Sequence, residues 1–72
     1  MPNRNTIEVS HNGKTEHLAA HTFLAAAISR WGYGDKQVAA AINGNFIPRS
    51  RYLDTTLNDG DMIDIVRPVG GG

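Results

Sequence analysis

Three kinds of group in this chain carry reactive or ligand chemistry. They are the histidines His11, His17 and His21, the acidic turn Asn58 to Asp61, and the stretch Arg67-Pro68-Val69-Gly70-Gly71-Gly72 with its main-chain carboxylate. Cysteine is absent, which removes disulfides, thiol nucleophiles, thiolate metal sites and side-chain persulfides together. His17 and His21 straddle an expected strand-to-helix junction, so helical ligand spacing does not apply to them, and His11 sits beside a turn. All three read as solvated side chains. "NDGD" suggests calcium, yet with Gly60 as the loop glycine, Thr55 and Leu57 fall where carboxylates are needed. It reads as a turn, with Gly60 at positive φ and the Asp side chains accepting from nearby amides. No metal is expected.

The glycines at 70 to 72 do not read as a phosphate loop, because such a loop leads into a helix whose free amides hold the anion. Two readings remain: a frayed terminus, or an arm built for use. Pro68 fixes one φ and biases Arg67 toward an extended conformation, so the arm is expected to project. Beyond Val69 no residue has a Cβ, which makes the arm thin enough for a narrow channel in another protein. Its end is an α-carboxylate, ionised at neutral pH. A carboxylate is a poor acyl electrophile because it repels nucleophiles and offers no leaving group. Joining it to AMP supplies the leaving group, after which sulfur or nitrogen can take the acyl carbon. Nothing in the chain resembles an ATP site, so activation is expected on a partner.

The rest of the composition agrees with a carried, not a catalytic, domain. Seven Lys and Arg balance seven Asp and Glu for a formal net charge of +0, so no global field steers the chain to nucleic acid or membrane. Seventy-two residues make one small core, with too few side chains to wall a deep cleft. No apolar run approaches the ~20 residues of a membrane span, and no signal peptide is evident. A soluble cytoplasmic protein is expected.

The elements that must position the arm follow from period and turns. Ile7 and Val9 alternate, Asn12-Gly13 supplies a type I′ turn, and a second short run ends at Leu18, which gives strands near Thr6 to Ser10 and Lys14 to Leu18. Phe23, Leu24, Ala27, Ile28 and Trp31 recur at helical spacing, with Thr22 as the expected N-cap, Arg30 in the last turn, and Gly32 or Gly34 as the left-handed cap. A strand through Val38, Ala40 and Ile42, a second Asn-Gly turn at 43 and 44, and a short piece with Phe46 and Ile47 come next. Pro48 confines that piece to an edge. Met62 to Val66 form the final strand, with Ile63 and Ile65 on one face and Asp64 on the other. One helix covers one face of a mixed sheet of about five strands, an α+β roll whose other face is left to solvent or a partner. Phe46, Ile47, Met62 and Val66 are apolar positions that one helix cannot all cover. Arg49, Arg51 and Tyr52, with Arg67, form a basic aromatic group that suits protein docking better than single-stranded nucleic acid at this net charge.

Residues 38 to 72 closely resemble the C-terminal half of the ThiS family, the sulfur carriers of thiamine biosynthesis. The resemblance lies in Asn43-Gly44, Ile47-Pro48-Arg49 with Tyr52, Leu57 before Asp59-Gly60-Asp61, the Ile63 to Val66 strand, Pro68-Val69 and Gly71-Gly72. The first 37 residues fit by element order. The resemblance implies a ubiquitin-like β-grasp domain over 1–66 and a reactive tail over 67–72. It implies that a ThiF-type adenylyltransferase adenylates Gly72 with ATP. A sulfur-donor protein then converts it to a thiocarboxylate, which delivers sulfur to a ThiG-type thiazole synthase. In that reading Arg67, Pro68, Val69, Gly70 and Gly71 enter partner channels, and Phe46, Ile47, Arg49, Arg51, Tyr52 and Met62 offer a partner surface. The chain is then a protein co-substrate with no bound cofactor, ATP being used by the partner. The small subunit of molybdopterin synthase shares fold and diglycine, and a ubiquitin-like modifier or an interaction module with an inert tail are the other readings.

Overall fold

The computed structural model describes residues 5–33 and 37–67. Strands β1 (Thr6–His11) and β2 (Lys14–Ala19) form the first hairpin, followed by helix α1 (Leu24–Arg30), strands β3 (Ala39–Ile42) and β4 (Asn45–Ile47), a 3-10 turn at Arg49–Arg51, and strand β5 (Met62–Val66). Both hairpins turn where they were expected to. Asn12 and Asn43 have φ of 52 and 53, and Gly13 and Gly44 have φ of 84 and 83, the positive pairs that a two-residue type I′ loop requires.

The sheet order is β2-β1-β5-β3-β4. The last strand in sequence is therefore the central strand in space. It runs parallel to β1, through Ser10 opposite Met62 and His11 opposite Ile63, and antiparallel to β3, from Ala39 opposite Val66 to Ile42 opposite Ile63. The parallel β1·β5 pair needs a long crossover, and α1 lies within it. β4 lies at an edge, as Pro48 requires.

The core lies between the sheet and α1. Leu24, Leu57 and Ile63 are completely enclosed, with Val9, Leu18, Ala27, Ile28, Ala40 and Ile65 around them. Each fully buried Leu or Ile contributes roughly 1.5–3 kcal/mol of transfer free energy. In a domain this small, one such residue is a large part of the net stability.

Both ends of α1 are closed by backbone. At the C-terminal end, Gly32 has φ 92, its N–H donates to Ser29 O, and Tyr33 N–H donates to Ile28 O, the paired bonds of a Schellman cap. Gly34, the alternative cap, lies outside the described residues. Thr22 is not the N-cap. Phe23 occupies that position without a side-chain bond, and Thr22 Oγ1 donates to Ala19 O instead. The free amides of the first turn are met by the long connection before β5: Leu24 N–H donates to Thr55 O and Ala25 N–H to Tyr52 O. A tertiary backbone contact thus replaces the side-chain cap that local sequence suggests.

Candidate functional site

The site is built on β5, the strand that leads to Arg67 and the tail. Its pleat sends Ile63 and Ile65 into the core and Met62, Asp64 and Val66 to the uncovered face. On that face Ala41 stands between Asp64 on one side and Phe46 on the other, and Ala39 stands opposite Val66. Alanines between the larger residues leave the apolar surface accessible. Phe46 is 68% exposed, Met62 59% and Val66 58%. An exposed aromatic, thioether and aliphatic group on one uncovered face is the composition of an interface centre.

Three arginines lie close in sequence to this surface: Arg49 and Arg51 lie in the exposed 3-10 turn after β4, and Arg67 follows β5. Arg51 Nε donates to Asp54 Oδ1 at 3.0 Å, while among the described residues no ion pair engages Arg49 or Arg67. Two expected members fall differently. Tyr52 is not a surface residue: its ring is buried, 8% exposed, and its hydroxyl donates to Val38 O at 3.1 Å. The 3-10 turn carries the chain inward after Arg51, so the aromatic member of the expected basic group closes the core instead. Ile47 is half-buried and packs against the core from the edge strand.

His11 also departs from expectation. It is not solvated: its ring stacks on Trp31 with centroids 4.0 Å apart and planes 4° from parallel. Its Nε2 shares a 2.7 Å hydrogen bond with the Tyr33 hydroxyl, and Nδ1 lies 3.7 Å from Glu16 Oε2. This aromatic group seals the end of the core beyond the helix cap. His17 is exposed on β2 beside Glu8, at 3.2 Å.

The Asn58 to Asp61 segment is a turn with Gly60 at φ 89, and its carboxylates serve amides. Asp61 Oδ2 accepts from Asn58 N–H and Oδ1 from Asn43 Nδ2, while Asp59 Oδ1 accepts from Glu8 N–H. Among the described residues no group of three or more His, Asp or Glu is arranged to hold a metal ion.

Two residues that sequence reasoning took only as turn formers hold β5 in place. Asn12 accepts from Ile65 N–H at 2.7 Å through Oδ1 and donates to Ile65 O at 3.0 Å through Nδ2. Asn43 accepts from Met62 N–H at 3.0 Å through Oδ1. A type I′ turn accepts Asp as well as Asn at this position, but only an amide both donates and accepts. Asn before Gly in both turns is the signal that was available.

The tail residues Pro68, Val69, Gly70, Gly71 and Gly72 lie outside the described residues. The sequence model of the ThiS family matches residues 3–72, the glycines included. The chain belongs to the ThiS family. The crystal structure of a thiamine biosynthesis protein (ThiS) from Geobacter metallireducens superposes on 92% of this ThiS-family chain and 100% of that one, with a TM-score of 0.79 at 25% identity. The five-stranded mixed sheet on one helix is thus the β-grasp expected of the ThiS family. A thiazole synthase of Paramagnetospirillum magneticum is 33% identical over 61 residues, which are 85% of this chain and 19% of that protein, so the chain spans about a fifth of that relative. The uncharacterized protein ycf40 of Porphyra purpurea is 28% identical over 72 residues and matches along the full length of both chains.

Proposed function

We propose that this chain is a sulfur carrier of thiazole formation in thiamine biosynthesis, acting in the cytoplasm as a protein co-substrate. The observation that carries the reading is the match of the ThiS family through Gly72, on a fold whose central strand leads into that tail. In this reading residues 1–66 are the recognition body and 67–72 the reactive arm. A ThiF-type enzyme brings ATP; the Gly72 carboxylate attacks the α-phosphorus, pyrophosphate leaves, and an acyl adenylate forms. Sulfur delivered at the sulfide level by a donor protein then attacks the acyl carbon, the bond to the AMP phosphate oxygen breaks, AMP leaves with a proton released, and a thiocarboxylate remains. The likeness to a segment of a thiazole synthase supports that enzyme as the acceptor of the sulfur.

The body supplies the docking. Phe46, Met62 and Val66 form the apolar centre, Arg49, Arg51 and Arg67 the basic flank, and Ile47 supports Phe46 from behind the edge strand. Tyr52 has no place in the contact. Residues at the centre of such a face are where a few side chains carry most of the binding energy.

Intact mass after incubation with ATP, a sulfur donor and the activating enzyme is expected to show one carboxylate oxygen replaced by sulfur. An unchanged mass, with the enzyme active on its own carrier, overturns the reading. Rescue of a thiamine auxotroph, as opposed to a strain lacking molybdoenzyme activity, separates this role from that of a molybdopterin synthase subunit.

A further inference from the structure

We propose that Asn12 is a positioning residue for the tail, acting through Ile65; the inference rests on the reading that Gly72 is the reacting end. β5 is paired along one edge by β3, from Ile63 to Val66. Its other edge meets β1 only at Met62 and Ile63, because β1 stops at His11 and the chain turns at Asn12. One further rung follows, from Asn12 N–H to Ile63 O at 2.9 Å. Beyond it, among the described residues, no main chain pairs with the N–H and C=O of Ile65 from that edge. The Asn12 amide takes the place of the missing strand residue and pairs with both groups, at 2.7 and 3.0 Å. The assignment of its oxygen and nitrogen is fixed by the partner, since a backbone N–H only donates and a carbonyl only accepts.

This rung is the last on that edge among the described residues, two residues before Arg67. Without it, the end of β5 is held on one side only, and the direction in which the chain leaves the sheet is no longer set. A reacting group on an arm depends on that direction, because the fraction of docked complexes with the end in reach of the activating centre scales the rate.

The second Asn-Gly turn provides a matched control. Asn43 has the same positive φ to within a degree, 53 against 52, and its side chain also makes two bonds, to Met62 N–H and Asp61 Oδ1, but at the far end of β5. Glycine is the test substitution at both positions, because it keeps positive φ without strain and removes only the side chain.

The experiment measures ATP-dependent thiocarboxylate formation by the activating enzyme over a range of carrier concentrations, with thermal melts for each variant. Loss of the Asn12 rung is expected to lower kcat about five- to ten-fold in Asn12→Gly, the effect of one or two hydrogen bonds, with KM within about two-fold of wild type. Asn43→Gly is expected to keep the wild-type kcat, and Asn12→Asp, which retains the acceptor for Ile65 N–H, to fall between. A variant that is merely less folded raises apparent KM and leaves kcat alone. The proposal is overturned by a wild-type kcat in Asn12→Gly, by an equal loss of kcat in Asn43→Gly, or by a loss confined to KM. If Asn12→Gly does not fold, Asn12→Asp decides on the same kcat criterion. If the wild-type chain is not modified, the sulfur-carrier reading falls and this inference with it; a modified wild type beside an unaffected Asn12→Gly overturns the inference alone.

Discussion

The two faces of β5 are one strand with two duties. Ile63 and Ile65 are shut into the core under α1, while Met62 and Val66, their immediate neighbours, stand more than half exposed on the face that no element covers among the described residues. A strand separates its neighbours by pleat alone, so the same five residues can be selected for packing on one side and for contact on the other. That strand lies at the centre of the sheet and leads to Arg67, so in the proposed reading the docking surface and the arm both start from a strand with a neighbour on each side.

That contrast is open to breakage in four ways. Removing Gly72 has the largest expected effect: ATP-dependent change of mass disappears altogether while the melting temperature stays at the wild-type value. Ile63→Ala is next, at about 2–5 kcal/mol in a urea titration, enough to unfold much of a domain whose total is of order 5–15 kcal/mol. Met62→Ser, one residue away on the other face, is expected to change stability by less than about 0.5 kcal/mol and to raise KM for the partner enzyme about ten-fold, the weight of a contact near 1.4 kcal/mol. A stability loss at Met62 comparable with that at Ile63 sinks the two-face account. Arg51→Ala is smallest, because the exposed pair with Asp54 contributes about 0.2–1 kcal/mol, and its effect on melting is expected to fade with added salt.

Tyr52 sharpens the same comparison from outside the strand. Tyr52→Phe is expected to cost about 1 kcal/mol through the lost bond to Val38 O and to leave the KM of the partner unchanged. It thereby sorts with the buried face.

How much of this was legible depended on sequence distance. Both hairpins, the helix and the alternation of Ile63 and Ile65 follow from neighbours within a few residues, and the turn chemistry of Asn12-Gly13 and Asn43-Gly44 fixed where chains reverse. That one helix leaves some of Phe46, Ile47, Met62 and Val66 uncovered followed from counting one helix against one sheet, but which of them did not: Ile47 packs against the core and the other three are exposed. The burial of Tyr52 was not legible, because a 3-10 turn after Pro48 rotates a residue inward without a periodic mark. Neither was the closure of the helix N-terminus by Thr55 and Tyr52 carbonyls, since a capping threonine was at hand in the local sequence. The Asn12 contact joins residues 53 positions apart, and no local pattern reports such a pair.

The Asn12-Gly13 turn also sets how the molecule ages. Asparagine is thermally labile, most of all before glycine, whose nitrogen attacks the side-chain carbonyl carbon, expels ammonia and closes a succinimide that water opens to aspartate or isoaspartate. An Asn12 amide occupied at both atoms by Ile65 is not free to swing toward that nitrogen, so the native fold protects this labile peptide. Where the protection lapses, a carboxylate replaces the donor and faces the Ile65 carbonyl. On the role proposed for Asn12, an old copy of this protein is expected to lose delivery before it loses stability.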